Sequence, residues 1–378
     1  MHILIASGIF HPEPGGPSTY LYQLLPELQA RGHTVRVVTF GDETTAGYPY
    51  PVRRVLRRGF LRRTLEYALA SRAAIPQADL IYIHSVGLPI WPGGRGKPRV
   101  LKIVGDLAWE RAVRRRWVAP DEDIDRFQQT RYDWRVEWFK ARFAREVRRM
   151  DRVIVPSQYL RNMVIGWGAQ PERVELIYNA LDADAPVSSL TQAEAREALH
   201  LDAGPLLLTV ARLTAWKGVD HLIRAVAQIP DIRLLIAGDG PEDARLRALA
   251  EAERAADRVI FLGRVPRDRL ALYYRAVDYT VLYSGYEGLS HTLLESLHAG
   301  TPVIASDKGG NPEVVYHDRN GLLAPYIDLD ALIETIRAAF SGDVRARLAA
   351  GTGVGLERFR WDTLVEQTVR VLEGVCMS

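Results

Sequence analysis

The stretch Ser284–Val314 reads SGYEGLSHTLLESLHAGTPVIASDKGGNPEV. It sets two glutamates, Glu287 and Glu295, with seven residues between them, and Gly288 follows the first. Eight positions span a little over two helical turns, so a wholly helical stretch would put the carboxylates on adjoining faces. The glycine favours a different arrangement, with Glu287 in a loop and Glu295 on the helix that follows. The backbone N–H groups between them would then project from a helix N-terminus, where anions bind. Carboxylates accept hydrogen bonds from sugar hydroxyls, and helix-end amides hold phosphates. The segment therefore suits a ligand that carries both.

Outward from this stretch the chain alternates strands and helices. Leu206–Val210, Arg233–Ala237, Val259–Phe261, Tyr279–Leu282 and Val303–Ala305 read as buried strands of a second half. Ile3–Ala6, Val35–Phe40, Leu80–Ile83, Val100–Val104 and Val153–Pro156 form an equivalent first series. Ser18–Ala30 reads as a helix capped by Ser18 or Thr19, Phe127–Arg149 as one long charged helix, and Trp361–Val375 as a closing helix. This is βαβ rhythm, so the fold class is α/β with parallel sheets covered by helices on both faces. Asp184–Ser189 is the expected linker, dividing the chain into domains 1–183 and 184–359. Two such halves imply a cleft lined by the carboxyl ends of strands from each.

Further motifs lie at strand ends. Gly15-Gly16 follows the first strand and lets backbone approach a phosphate closely, although a tight turn explains the pair equally well. It is not GxGxxG, so the dinucleotide fingerprint is absent there. Val210–Gly218, VARLTAWKG, places Arg212 and Lys217 after the first strand of the second half, and two cations there suit a diphosphate. Ala237–Pro241, AGDGP, reads as a sharp structural turn, and Ser306–Glu313 as a glycine loop lining a phosphate or sugar pocket or simply turning the chain. His84 ends a strand, His291 lies inside the two-glutamate segment, and His11 sits in the first loop. No His/Cys/Asp cluster has metal-ligand spacing, so no metal is expected.

The 378 residues, 47% of them hydrophobic, suffice for two cores. The single cysteine, Cys376, precludes an intrachain disulfide, and a cytosolic setting is expected. MHILIAS reads as a first strand rather than a signal peptide. Net charge is +3, unevenly spread: residues 1–180 carry 28 Lys+Arg against 18 Asp+Glu, and the remainder 21 against 28. The excess gathers at Arg53, Arg54, Arg57, Arg58, Arg62, Arg63, Arg111 and Arg114–Arg116, interleaved with Leu56, Phe60, Leu61, Leu65, Trp109 and Trp117. Such a face fits either a solvated surface or an anionic lipid surface. No nucleic-acid motif accompanies it.

Taken in order, the Gly-Gly loop, VARLTAWKG, IAGDGPE, FLGRVP, the glutamate pair and GGNPEVV resemble family 4 of the retaining glycosyltransferases, over nearly the whole chain. The resemblance implies the GT-B architecture: two Rossmann-like domains facing across a cleft, an N-terminal acceptor domain and a C-terminal donor domain, with 360–378 crossing back to the first. It implies that Arg212 and Lys217 hold a nucleotide diphosphate, and that Glu295 binds the ribose. Glu287 would contact the donor sugar with help from backbone at Gly288, Leu289, Ser290, His291 and Thr292. Gly15 and Gly16 would lie beside the diphosphate, and Gly263–Val265 beside the base. Many members carry His-Asp where this chain has Gly105-Asp106, so Asp106 or His84 is expected to cover that role. The expected co-substrate is a UDP-, GDP- or ADP-sugar with no separate cofactor, and the acceptor a sugar or lipid-linked molecule. The setting would be cytoplasmic, peripheral to a membrane. An epimerase or phosphorylase on the same architecture, or a non-catalytic nucleotide-sugar-binding subunit, are the rival expectations.

Overall fold

The computed structural model describes residues 1–13, 15–91, 96–181 and 185–377. Two compact units emerge, each built on one parallel sheet. The first contains β1 (His2–Ser7), β2 (Thr34–Phe40), β3 (Val52–Val55), β4 (Leu80–His84), β5 (Arg99–Lys102), β6 (Arg152–Val155) and β7 (Val174–Leu176), in the order β3-β2-β1-β4-β5-β6-β7. The second contains β8 (Leu206–Val210), β9 (Arg233–Ala237), β10 (Val259–Gly263), β11 (Tyr279–Leu282), β12 (Val303–Ser306) and β13 (Gly321–Ala324), in the order β10-β9-β8-β11-β12-β13. Central strands such as LIYIH and LLLTV are almost wholly buried. A parallel sheet covered on both faces requires that kind of unbroken apolar run. Each sheet reverses its strand order once, between β1 and β4 and between β8 and β11. Ligands of open parallel sheets lie outside the carboxyl ends at such a reversal.

All ten strands expected from the sequence are present. The three not anticipated, β3, β7 and β13, are edge strands of three or four residues. Strands of three or four residues are too short to show a periodic pattern, and β3 and β7 also carry charged residues, so their sequence signal is weak. The first helix begins at Gly16 rather than Ser18, with no side-chain cap, because Gly15 at φ 148° and Pro17 already shape its entry. Phe127–Arg149 is not one helix. Ile124–Gln129 ends before Trp134–Val147, where the Asp133 carboxylate accepts from the N–H groups of Arg135 and Val136 and starts a new helix.

The boundary expected at 183/184 falls outside the described residues, and 185–189 have no regular structure. The first unit comprises Met1–Ala108, Arg131–Ile177 and the last helix from Asp362 on. In that helix Thr368 Oγ1 lies 3.5 Å from Tyr20 Oη. Trp109–Thr130, assigned to the first domain by sequence, instead belongs to the second unit. There Trp109 is 1% exposed and meets Trp216 and Tyr286 edge to face, at 5.1 and 5.4 Å. Lys308 Nζ lies 3.4 Å from both Asp123 and Asp125. Long-range aromatic and ionic contacts have overridden chain proximity.

Candidate active site

The reversal between β8 and β11 brings two loops together at the carboxyl edge of the second sheet. The loop after β8 is pinned by Leu213, which is fully buried, and by its N–H donating 2.8 Å to Asp239 O. Gly238 and Gly240 pass so close to Ala211 O and Leu213 O that any Cβ there would collide with them. The AGDGP turn is therefore a structural support for the Arg212–Lys217 loop. Gly218, at φ 61°, ends that loop, and a Cβ would run into Tyr283 O. Gly285 N–H donates 2.8 Å to Trp216 O and ties the two loops to each other.

The loop after β11 carries Glu287, and Ser290 caps the helix His291–His298 by accepting from Leu293 N–H at 3.3 Å. Glu287 thus sits in a loop and Glu295 on a helix, as Gly288 led one to expect. Backbone from Gly288 to Thr292 passes into the helix N-terminus, an arrangement that favours anions. Beneath it run Gly309 and Gly310, packed on the backbone of Glu287 and Gly288. Gly310 N–H donates 2.9 Å to Glu287 O.

Lys217 Nζ and Glu287 Oε1 form a 2.5 Å ion pair, both largely buried. Arg212 is exposed at the same edge. Glu295 accepts 3.0 Å from Tyr274 Oη and pairs with Arg267 at 3.3 Å. Burial and the Glu295 carboxylate hold the Tyr274 phenol well above its ordinary range, so it stays a donor. Thr292 Oγ1 donates 3.2 Å to Val210 O, and His291 is exposed on the first helical turn. Gly263, at φ 65°, ends β10 with open space above its Cα, and Val265 is half-buried beyond it. Arg212, Lys217, Gly263, Val265, Glu287–Thr292 and Glu295 therefore all belong to the second unit.

Gly15, Gly16, His84 and Asp106 belong to the first unit. Gly16 has open space where a Cβ would be, while a Cβ on Gly15 would press on Ile9. Asp106 is 3% exposed, and its carboxylate accepts 2.8 Å from Ala108 N–H, capping the helix Leu107–Arg114. His84 is 5% exposed and packs against Tyr20 and Tyr82. Burial, reinforced by Lys102, holds its imidazole well below the ordinary histidine range.

Sequence reasoning missed the aromatic supports Trp109, Trp216 and Tyr286, and the partners Tyr274 and Arg267 of Glu295. Trp216 and Tyr286 each immediately precede a charged site residue, Lys217 and Glu287. That adjacency was the available signal. Lys102 was missed because VLKIV reads as an ordinary buried strand.

Residues 191–351 match the family model for group 1 glycosyl transferases, and residues 14–185 that for glycosyltransferase family 4. The chain is 34% identical over 221 residues to a D-inositol 3-phosphate glycosyltransferase of Acidothermus cellulolyticus, covering 54% of this chain and 49% of that protein. It thus spans about half the length of the first curated relatives it matches. It is 30% identical over 261 residues to a GDP-mannose-dependent alpha-(1-6)-phosphatidylinositol monomannoside mannosyltransferase of Mycobacterium tuberculosis, covering 63% of this chain and 67% of that one. Its fold superposes on sucrose-phosphate synthase from Thermosynechococcus elongatus with a TM-score of 0.80 at 24% identity, over 99% and 98% of the two chains. The two sheets are those of the GT-B architecture, and the chain belongs to glycosyltransferase family 4.

Proposed function

We propose that this chain is a retaining glycosyltransferase that moves a hexosyl group from a nucleotide-diphosphate sugar to an acceptor hydroxyl. The observation that carries the reading is the Lys217–Glu287 ion pair beside a capped helix N-terminus, at the strand reversal of the second sheet. Lys217, Arg212 and the amides near Leu289–Thr292 would neutralise charge that grows on the diphosphate as its bond to the anomeric carbon breaks. Preorganised donors of this kind contribute about 2.7–4 kcal/mol each. Glu287 would orient the donor sugar, and Glu295, held by Tyr274 and Arg267, would accept from ribose hydroxyls. The acceptor oxygen would bond to the anomeric carbon from the leaving-group face, its proton passing to a diphosphate oxygen. Configuration is then retained without a protein nucleophile, and the two cations would do the work without a metal.

The donor is a UDP-, GDP- or ADP-sugar and the acceptor a sugar or lipid-linked molecule, in assembly of a cell-surface polysaccharide or glycolipid. The mycobacterial relative named as a phosphatidylinositol monomannoside mannosyltransferase supports the lipid-linked option. So does the helix Phe60–Ala74, which exposes Phe60 (69%) and Leu61 (81%) beside Arg62 and Arg63. Apolar and cationic side chains interleaved on one helix suit a peripheral site on an anionic cytoplasmic membrane surface. Among the described residues no helix is long and apolar enough to cross a membrane.

The deciding experiment is thermal unfolding with UDP, GDP, ADP and their sugars, in EDTA. One nucleotide should raise Tm by mass action, and that sugar should turn over to a product of unchanged anomeric configuration. No response to any of them, or an inverted product, defeats the reading.

A further inference from the structure

In the first unit the strand order reverses between β1 and β4. Ser7, His84 and Lys102 end β1, β4 and β5, and they lie in register across the sheet. Residues in register on neighbouring parallel strands project to the same face. Lys102 is 4% exposed and His84 5%. Lys102 Nζ lies 4.3 Å from the centre of the Tyr20 ring and has no hydrogen-bond partner among the described residues. His84 Nε2 has none either. The hydroxyls around them are committed elsewhere: Tyr20 Oη lies 3.0 Å from Tyr82 Oη, and Ser7 Oγ donates 2.5 Å to Ile9 O. No carboxylate makes an ion pair with Lys102 among the described residues, and burial alone governs its amine.

Buried polar atoms are nearly always hydrogen-bonded, and an amine or ammonium left alone is costly. Two such nitrogens, on register partners of neighbouring strands at the edge where parallel sheets receive ligands, have no acceptor among the described residues. We infer that Lys102 and His84 form a binding site for an oxyanion, a phosphate or carboxylate group carried by a substrate. Both nitrogens would donate to it, Nζ as ammonium and Nε2 as the N–H tautomer, while the Tyr20 ring shields the cation. The anion is either the acceptor's own acidic group or a phosphate of a nucleotide. The site lies in the first unit and does not rest on the transferase reading, because inorganic phosphate alone probes it.

The test is thermal unfolding of the whole chain titrated with inorganic phosphate at pH 6.5, ionic strength held constant with chloride. Tm should rise with phosphate in the wild type. In Lys102→Met the apparent affinity should fall at least about tenfold, the scale expected for losing a charge-assisted hydrogen bond. His84→Gln should weaken it in the same direction, and it carries the test if the first variant does not fold. Saturating UDP or GDP separates the sources. A phosphate response that persists assigns the site to an acceptor group, and one that the nucleotide replaces assigns it to a nucleotide phosphate. No response in the wild type, or an equal response in wild type and both variants, overturns the inference.

Discussion

Lys102→Met should stabilise the protein in phosphate-free buffer, and most strongly at low pH. Burial lowers the Lys102 ammonium from 10.5 to about 7. The difference of about 3.5 units, at about 1.4 kcal/mol each, makes the protonated amine cost about 5 kcal/mol in the fold. The cation–π contact with Tyr20 returns up to about 2 kcal/mol, leaving about 3 kcal/mol. Between pH 7 and 10.5 the unfolded chain holds this proton and the folded chain does not, so wild-type stability rises with pH. Below pH 7 both states are protonated and the full penalty applies. Above pH 10.5 both are neutral and it vanishes. Methionine keeps the apolar stem and has no proton to bind. Urea unfolding at pH 6, 7, 8 and 9 should therefore show a difference between variant and wild type of about 3 kcal/mol at pH 6, shrinking to about 2 kcal/mol at pH 9. His11 and His33, lowered chiefly by burial, titrate in both proteins and largely cancel in the difference, whereas His84, lowered by burial and also by Lys102, is relieved of that repulsion in the variant, which adds to the variant's advantage at low pH. Parallel curves from pH 6 to 9, or a variant less stable at pH 6, would refute the reasoning.

Lys217→Met should lower turnover of the nucleotide sugar by about 10²–10³ while leaving Tm within a few degrees, as measured by initial rates and calorimetry; a near-normal rate sinks the diphosphate assignment. Tyr274→Phe removes the 3.0 Å hydrogen bond to Glu295 and should weaken nucleotide binding about tenfold in calorimetric titration. Unchanged affinity would separate Glu295 from the ribose. Trp109→Ala empties the space between Trp216 and Tyr286 and should cost about 3–5 kcal/mol, with a raised donor KM that Trp109→Phe largely restores. An unaffected donor KM would show that the Trp109 segment does not steady Lys217 and Glu287. Co-sedimentation with anionic vesicles should fall with added salt and with Leu61→Ser, and salt-independent or absent binding counts against a membrane role.

The buried strands were legible because parallel sheets demand continuous apolar runs, and LIYIH, LLLTV and VIAS supply them. Edge strands such as Val52–Val55, with two arginines, lack that signal. The loop position of Glu287 and the helical position of Glu295 followed from Gly288, which is a local fact. The supports of those carboxylates were not legible. Tyr274 lies 21 positions from Glu295, Lys217 lies 70 from Glu287, and spacing has no meaning at those separations.

By itself the sequence determined two parallel α/β halves, the order of their strands along the chain, and which loops carry charge at strand ends. These depend on local periodicity and on glycine's freedom at turns. Only the tertiary structure decided that Trp109–Thr130 joins the second unit, that Gly238 and Gly240 serve the Arg212 loop, and that Lys102 lies buried without an acceptor among the described residues. Each of these follows from close packing between residues distant in the chain, where volume and desolvation outweigh sequence neighbourhood.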